Sequence, residues 1–124
     1  MANKILIIED DIVLQKALNE YLSSEGFDVT AASDGESGME MSLSENPDLI
    51  LLDIILPKKD GYEVLQSVRK NEKTKNIPVI LLTNLDSIHD VQKALEFGAT
   101  TYLVKADYKL EEVMAKIKDI LNIK

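Results

Sequence analysis

The fold is decided by residues 48–61, DLILLDIILPKKDG, where an apolar run leads into an aspartate and ends in a turn. The apolar residues 49–52 precede Asp53, and further apolar residues at 54–56 lead to Pro57. A continuous apolar run of this length is typical of a strand covered on both faces, as in a parallel sheet. A carboxylate buried without partners is costly or takes up a proton. Asp53 is therefore predicted to lie at the mouth of the fold or in a site that uses its charge.

Length, charge and composition place the chain among acidic proteins of a single domain. It has 124 residues, and 14 basic against 22 acidic residues give a net charge of −8. This balance disfavours non-specific binding to DNA or to anionic membranes, because both require a cationic surface. The chain has no cysteine, no signal-peptide pattern and no apolar run of the roughly 18 residues that span a bilayer. We therefore expect a soluble, cytoplasmic protein that contacts neither membrane nor nucleic acid directly.

Short apolar runs predict strands, and amphipathic segments between them predict helices. The strand runs are 5–8, 49–52, 79–82 and 102–104, with a weaker alternating one at Phe27, Val29 and Ala31. The apolar residues at helical spacing are Val13, Leu14, Ala17, Leu18, Tyr21 and Leu22; Met39 and Leu43; Val64, Leu65 and Val68; Ile88, Val91, Ala94 and Leu95; and Leu110, Val113, Met114, Ile117, Ile120 and Leu121.

The alternation of strand and helix predicts an α/β fold. Repeated βα units with right-handed crossovers form an open, doubly wound parallel sheet with helices on both faces. Gly26 and Gly98 are predicted to end the first and fourth helices, and Pro47 follows the second. Because no linker or low-complexity tract interrupts the pattern, we expect residues 1–124 to form one domain, with no output domain after the fifth helix.

Polar and charged residues follow four of the predicted strands. They are Glu9, Asp10 and Asp11 after the first strand, Asp53 after the third, Thr83 after the fourth and Lys105 after the fifth. The carboxyl ends of parallel strands meet at one edge of the sheet, where ligands bind. We therefore expect these side chains to converge, although Asp11 is better explained as the N-cap of the first helix.

Converging carboxylates need a cation or a proton. Two like charges about 4 Å apart repel by roughly 4 kcal/mol at an effective dielectric near 20. Oxygen ligands alone suit Mg²⁺, which prefers one or two carboxylates together with phosphate oxygens. A carboxylate can also be the covalent acceptor of a phosphoryl group. The strand ends therefore predict a Mg²⁺-dependent phosphoryl site.

Four segments together resemble the receiver domain of two-component response regulators along essentially the whole chain. The segments are ILIIEDD, LILLDIILPKKDG, VILLTN and YLVKA, and they occur in this order at the predicted strand ends. The resemblance implies a CheY-like, flavodoxin-like (βα)5 fold with strand order 2-1-3-4-5. It implies that Asp53 is the phosphoacceptor and that Glu9, Asp10 and Asp53 hold Mg²⁺ together with the backbone carbonyl of Ile55.

The resemblance also implies roles at the last two strands. Thr83 would hydrogen-bond the phosphoryl oxygens, Lys105 would pair with the phosphoryl group, and Tyr102 would rotate as Thr83 moves. The face formed by the fourth helix, fifth strand and fifth helix would then switch. A tyrosine in a last strand is also often a half-buried packing residue, so Tyr102 keeps that alternative. Ala106 stands where many receivers have proline after the lysine.

The implied function is a phosphoacceptor in a two-component system or phosphorelay, acting as a switch and not as an enzyme. The donor would be a sensor histidine kinase or a histidine phosphotransfer protein, and the downstream target would be a protein. A homodimer through the switching face is compatible with the resemblance. Ile55 and Leu85 are apolar, so neither orients an attacking water, and we expect slow self-dephosphorylation.

Three alternative functions share parts of this pattern. One is a receiver-like interaction module that is not phosphorylated; the intact acidic and basic residues argue against it. Another is a hydrolase with an aspartate nucleophile, but such enzymes carry a second aspartate where Ile55 stands. The third, a flavin carrier, needs a phosphate-binding loop after the first strand, and the loop here is acidic.

Overall fold

Five parallel strands form the sheet of the computed structural model, which describes residues 3–54, 56, 60–83, 88–104 and 109–123. For residues 83, 88–91 and 104 only the backbone is described. The strands are β1 Lys4–Ile8, β2 Asp28–Ala32, β3 Leu49–Asp53, β4 Val79–Thr83 and β5 Thr101–Val104. Their order in the sheet is β2-β1-β3-β4-β5. The predicted doubly wound fold and its strand order are confirmed.

Helices follow each strand along the chain. They are α1 Ile12–Ser24, α2 Gly35–Ser44, α3 Gly61–Lys70, α4 Ile88–Glu96 and α5 Leu110–Leu121. The N-cap residues of α1, α2 and α3 are Asp11, Asp34 and Asp60. Their side-chain oxygens accept hydrogen bonds from backbone N–H groups of the first turn. These caps satisfy amides that have no partner within the helix.

Alternate side chains of each strand enter two separate cores. One core packs Ile5, Ile7, Leu49, Leu51, Ile80 and Leu82 against α1 and α5. The other packs Leu6, Ile8, Ile50, Leu52, Val79 and Leu81 against α2, α3 and α4. All five residues of β3 are buried, because it is the central strand and is covered on both faces. This explains why its sequence is a continuous apolar run.

The parallel register brings the carboxyl ends of the strands level with one another. Ile8 pairs with Ala32 on one side and with Leu52 on the other. Asp53 pairs with Leu82, and Thr83 pairs with Val104. The residues that follow β1 and end β3 therefore meet at one edge of the sheet.

Three apolar residues assigned to helix cores by spacing alone lie on the surface. Val13 is 80% exposed, Leu43 42% and Leu95 43%. Helix α2 instead buries Gly35, Gly38 and Ser42, so its existence was predicted but its core-facing side was not. Among the described residues, no helix has the length and apolar character needed to cross a membrane.

Candidate functional site

Three carboxylates converge at the carboxyl edge of the sheet. Glu9 follows β1, Asp10 comes next, and Asp53 ends β3. One oxygen from each lies within 4.8 Å of the others. Glu9 is fully buried, Asp53 is 5% exposed, and Asp10 is exposed to solvent. The cluster therefore has a buried base and one open side.

The loop between β1 and α1 holds Glu9 through its backbone and through its carboxylate. The N–H of Glu9 donates to the carbonyl oxygen of Ala32, over 3.0 Å. The N–H of Asp11 donates to Oε2 of Glu9, over 3.2 Å. Asp11 itself caps α1, with its Oδ1 accepting from the N–H groups of Val13 and Leu14. The expected cap at Asp11 is confirmed, and its carboxylate is used there instead of in the cluster.

The loop after Asp53 returns tightly to the end of β3. The N–H of Gly61 donates to the carbonyl oxygen of Ile54, over 2.6 Å. A Cβ atom at Gly61 would overlap the carbonyl oxygen of Asp53 and the Cα of Ile54. Glycine is therefore required here by close backbone approach, and α3 begins directly beside the end of β3.

The donor set of the cluster fits a hard divalent cation. All three ligand atoms are carboxylate oxygens, and Mg²⁺ binds through oxygen ligands and keeps several waters. Like charges this close repel one another by several kcal/mol, and a bound cation removes that cost. The exposed side at Asp10 leaves room for water or for an oxygen of a phosphoryl group. The residues present therefore fit Mg²⁺.

The structure brings together Glu9, Asp10 and Asp53, as predicted, but it does not test the roles of the other predicted site residues. Ile55 and Lys105 lie outside the described residues. Thr83 ends β4, with only its backbone described. Tyr102 lies in β5 and is 39% exposed, a value that fits the half-buried packing alternative as well as the switching role. The roles expected of these four residues stay predictions.

One side chain of this region was missed from the sequence. Gln15, on α1, donates from Nε2 to the carbonyl oxygens of Glu9 and Ala32, over 2.8 and 3.1 Å. The available signal was a polar residue beside the apolar stripe of α1, next to Leu14 and near Leu18. That signal is weak, because the edge of an amphipathic helix often carries such residues.

Known proteins resemble this chain along nearly its whole length. Residues 5–118 match the family model of the response regulator receiver domain. The chain is 40% identical over 119 residues to the DNA-binding dual master transcriptional regulator RpaA of Synechocystis, covering 96% of this chain and 49% of that protein. It is 42% identical over 120 residues to the transcriptional regulatory protein CpxR of Escherichia coli K12, covering 97% of this chain and 50% of that protein. The chain thus spans about half the length of these curated relatives.

Solved structures give the same result. A putative response regulator from Chloroflexus aurantiacus superposes with a TM-score of 0.91 and 30% identity, covering 98% of this chain and 99% of that one. The receiver domain of a sensor histidine kinase from Pseudomonas aeruginosa PAO1 has a TM-score of 0.87 and 30% identity, covering 96% and 97%. That structure has a magnesium ion coordinated in its active site cleft.

The relatives correct one prediction. Direct contact with nucleic acid was excluded from the net charge of −8, yet RpaA is named a DNA-binding regulator and CpxR a transcriptional regulatory protein. The exclusion is wrong, because the charge describes a chain that spans only about half of each relative. The acidity of this part carries no information about what the relatives' other half binds.

Proposed function

Because the chain belongs to the response regulator receiver domain family of two-component signalling, we propose that Asp53 accepts a phosphoryl group from a phosphohistidine of a partner protein. Receiver domains of this family are signalling switches and bind Mg²⁺ in an acidic site. In this proposal Glu9 and Asp10 hold the metal beside Asp53. The phosphorylated form then presents a changed surface to its downstream partner.

The observation that carries the proposal is the placement of Asp53. Its side chain is almost fully buried, yet a carboxylate oxygen lies within 4.8 Å of oxygens of Glu9 and Asp10. A fold that needed only packing at this position has no use for three clustered carboxylates. The cluster opens to solvent on the side of Asp10, from which a phosphoryl donor can approach.

The transfer step follows from this arrangement. A carboxylate oxygen of Asp53 forms a bond to phosphorus as the bond between phosphorus and the donor imidazole nitrogen breaks. That nitrogen keeps the electron pair, and because the other ring nitrogen of the donor carries a proton, the donor histidine leaves as neutral imidazole. Mg²⁺, when bound, neutralises charge on the transferring oxygens. The hydrogen bond from the N–H of Gly61 to the carbonyl oxygen of Ile54 keeps the end of β3 in place during the exchange.

The charge added at Asp53 supplies the switch. A phosphoryl group carries about −1.5 to −2 charges and further acceptor oxygens. We propose that Lys105 and the hydroxyl of Thr83 bind these oxygens and that Tyr102 moves with Thr83. The face of α4, β5 and α5 would then change, and its exposed apolar side chains include Leu95 and Tyr102. Charge-assisted hydrogen bonds of roughly 1.5–3 kcal/mol each are sufficient to shift a two-state equilibrium.

The proposal is tested by intact-protein mass spectrometry after incubation with acetyl phosphate or phosphoramidate, with Mg²⁺ and with EDTA. We expect the mass of one phosphoryl group to be added to the wild type only with Mg²⁺. Asp53→Asn should abolish this gain, and Glu9→Gln should strongly reduce it. The matched control is Asp11→Asn, which removes a carboxylate from the same acidic triplet but keeps an oxygen to cap α1.

Retention of the mass gain in Asp53→Asn would contradict the proposed acceptor. If neither donor modifies the wild type, beryllofluoride with Mg²⁺ should still shift the amide signals of Asp53 and its neighbours by NMR. Absence of that response as well would overturn the proposal in favour of an interaction module that is not phosphorylated.

A further inference from the structure

We propose that Gln15 is a positioning residue for the acidic loop, which sets the affinity of the site for Mg²⁺ without touching the metal or the phosphoryl group. This inference rests on the proposed function, since it concerns how Glu9 and Asp10 are held. Gln15 is half-buried on the first turns of α1 and carries no charge. Any effect it has on the cluster must therefore come from geometry and not from Coulomb attraction.

The amide of Gln15 joins the ends of two strands. Its Nε2 donates to the carbonyl oxygen of Glu9 over 2.8 Å and to that of Ala32 over 3.1 Å. The hydroxyl oxygen of Ser33 lies 3.3 Å from the same nitrogen. Both protons of the amide are thus used by backbone acceptors, one after β1 and one at the end of β2.

These contacts complete the restraint of the backbone around Glu9. The N–H of Glu9 is held by Ala32, over 3.0 Å, and its C=O is held by Gln15. The peptide units on both sides of the Glu9 Cα are therefore anchored. Because the carbonyl of Glu9 belongs to the peptide unit that continues into Asp10, the same bond also orients the start of Asp10.

Helix α1 holds the backbone of Gln15 in place. The N–H of Gln15 donates to the carbonyl oxygen of Asp11 over 2.9 Å, within the turn that Asp11 caps. The loop of residues 9–11 is thereby closed between β1 and a helix that starts from the loop itself. Partners that orient metal-binding residues commonly change metal affinity by 10–100-fold when removed. Gln15 orients two carboxylates through one peptide unit, so we expect its removal to change the metal affinity to a similar extent.

The test is the dissociation constant for Mg²⁺, measured from amide chemical shifts of the ¹⁵N-labelled chain during titration with MgCl₂. Gln15→Met keeps the length and the helix propensity of the side chain and removes its donors. We expect this variant to bind Mg²⁺ about tenfold more weakly than the wild type. Gln66→Met makes the same change at a half-buried glutamine on α3 and should leave the affinity unchanged.

Thermal unfolding in EDTA separates positioning from a purely structural role. If Gln15 only ties β1 to β2, Gln15→Met will lower the Tm without metal and leave the Mg²⁺ affinity equal to that of the wild type, which would overturn the inference. Should Gln15→Met fail to fold, Gln15→Asn replaces it as the test. Asparagine keeps the amide, but its side chain is one methylene shorter, so the amide no longer reaches the carbonyl oxygens of Glu9 and Ala32. Weakened binding in Gln15→Asn supports the inference, and wild-type affinity overturns it.

The same titration distinguishes failure of this inference from failure of the proposed function. A wild type that binds no Mg²⁺ at millimolar concentrations overturns both. A wild type that binds, together with a Gln15→Met variant that binds equally well, overturns only the role of Gln15.

Discussion

The N–H of Gly61 donates a 2.6 Å hydrogen bond to the carbonyl oxygen of Ile54. The first residue of α3 is therefore in direct contact with the residue that follows Asp53. No side chain fits between them, since a Cβ atom at Gly61 would overlap backbone atoms of Asp53 and Ile54. The backbone around Asp53 is thus held between the end of β3 and the start of α3.

Gly61→Ala should be strongly destabilising. The overlapping atoms belong to the backbone and cannot rotate away, so we expect a loss of about 3 kcal/mol in the free energy of unfolding, at the upper end for overpacking. Urea denaturation measures this loss. Gly26→Ala is the control, because Gly26 has a φ of 97° and a Cβ atom there would meet no heavy atom within 4 Å. Its cost should be only about 1 kcal/mol, from backbone conformation alone. Equal costs would contradict the steric explanation.

Asp53→Asn should stabilise the protein in EDTA. The change removes one of three carboxylates that lie within 4.8 Å of one another, and we expect a gain of about 1–2 kcal/mol in the free energy of unfolding. Adding Mg²⁺ should stabilise the wild type more than the variant, because a ligand stabilises the state that binds it.

Asp48→Asn is the control for that experiment, since it changes the net charge equally at the exposed, opposite end of β3. It should change neither the stability in EDTA nor the response to Mg²⁺ by a comparable amount. A destabilised Asp53→Asn variant in EDTA would contradict the repulsion on which the prediction depends.

Arg69 should be essential for holding the end of α4. Its Nε donates to the carbonyl oxygen of Gly98 over 2.9 Å, and its Nη1 donates to those of Ile77 and Lys75 over 2.7 and 3.2 Å. Burial lowers the pKa of the guanidinium, but arginine stays charged at neutral pH. We expect Arg69→Met to cost about 2–3 kcal/mol, because hydrogen bonds from a charged donor are lost together.

Urea denaturation and hydrogen exchange of the amides at residues 97–101 measure the effect of Arg69→Met. Lys70→Met, at the exposed neighbouring position on α3, is the control and should change stability by less than about 0.5 kcal/mol. If the two variants unfold at the same urea concentration, the hydrogen bonds of Arg69 contribute little.

Ile55→Asn should shorten the lifetime of the phosphorylated protein. This prediction comes from the resemblance to receiver domains, in which the residue two positions after the acceptor lies near the phosphoryl group. An amide can orient an attacking water, whereas isoleucine cannot, so we expect a several-fold faster loss of phosphoryl mass. Intact mass against time after removal of the donor gives the rate. Equal rates of phosphoryl loss in the wild type and the variant would show that Ile55 does not slow hydrolysis.

The strands were predictable because the sheet is covered on both faces. Each of β1, β3 and β4 contains four consecutive apolar residues, a pattern typical of buried strands. The order of the strands was not predictable from periodicity, which contains no information about which strands are neighbours; it required the resemblance. The clustering of Glu9, Asp10 and Asp53 followed from strand ends alone, since a parallel sheet places those ends on one edge.

Helix α2 shows where the apolar pattern fails. Met39 and Leu43 marked the helix, but its buried side consists of Gly35, Gly38 and Ser42. A Cβ at Gly38 would lie 2.7 Å from Cδ1 of Ile8, so a small residue is needed for the helix to approach β1. Glycine and serine do not form a recognisable hydrophobic pattern in the sequence, so the buried side of α2 could not be predicted. Gln15 was missed for a related reason, because its partners are backbone carbonyls that leave no trace in residue types.

The burial of β3 has a consequence for motion. This strand lies between β1 and β4 with every residue covered, so we expect its amides to exchange only when the whole domain opens. Asp53 ends that strand and shares its stiffness, whereas Asp10, at the mouth of the cluster, is exposed. If Asp53 accepts a phosphoryl group as proposed, the new bond forms at this fully covered strand, and the change reaches the surface by displacing neighbouring residues while Asp53 keeps its place.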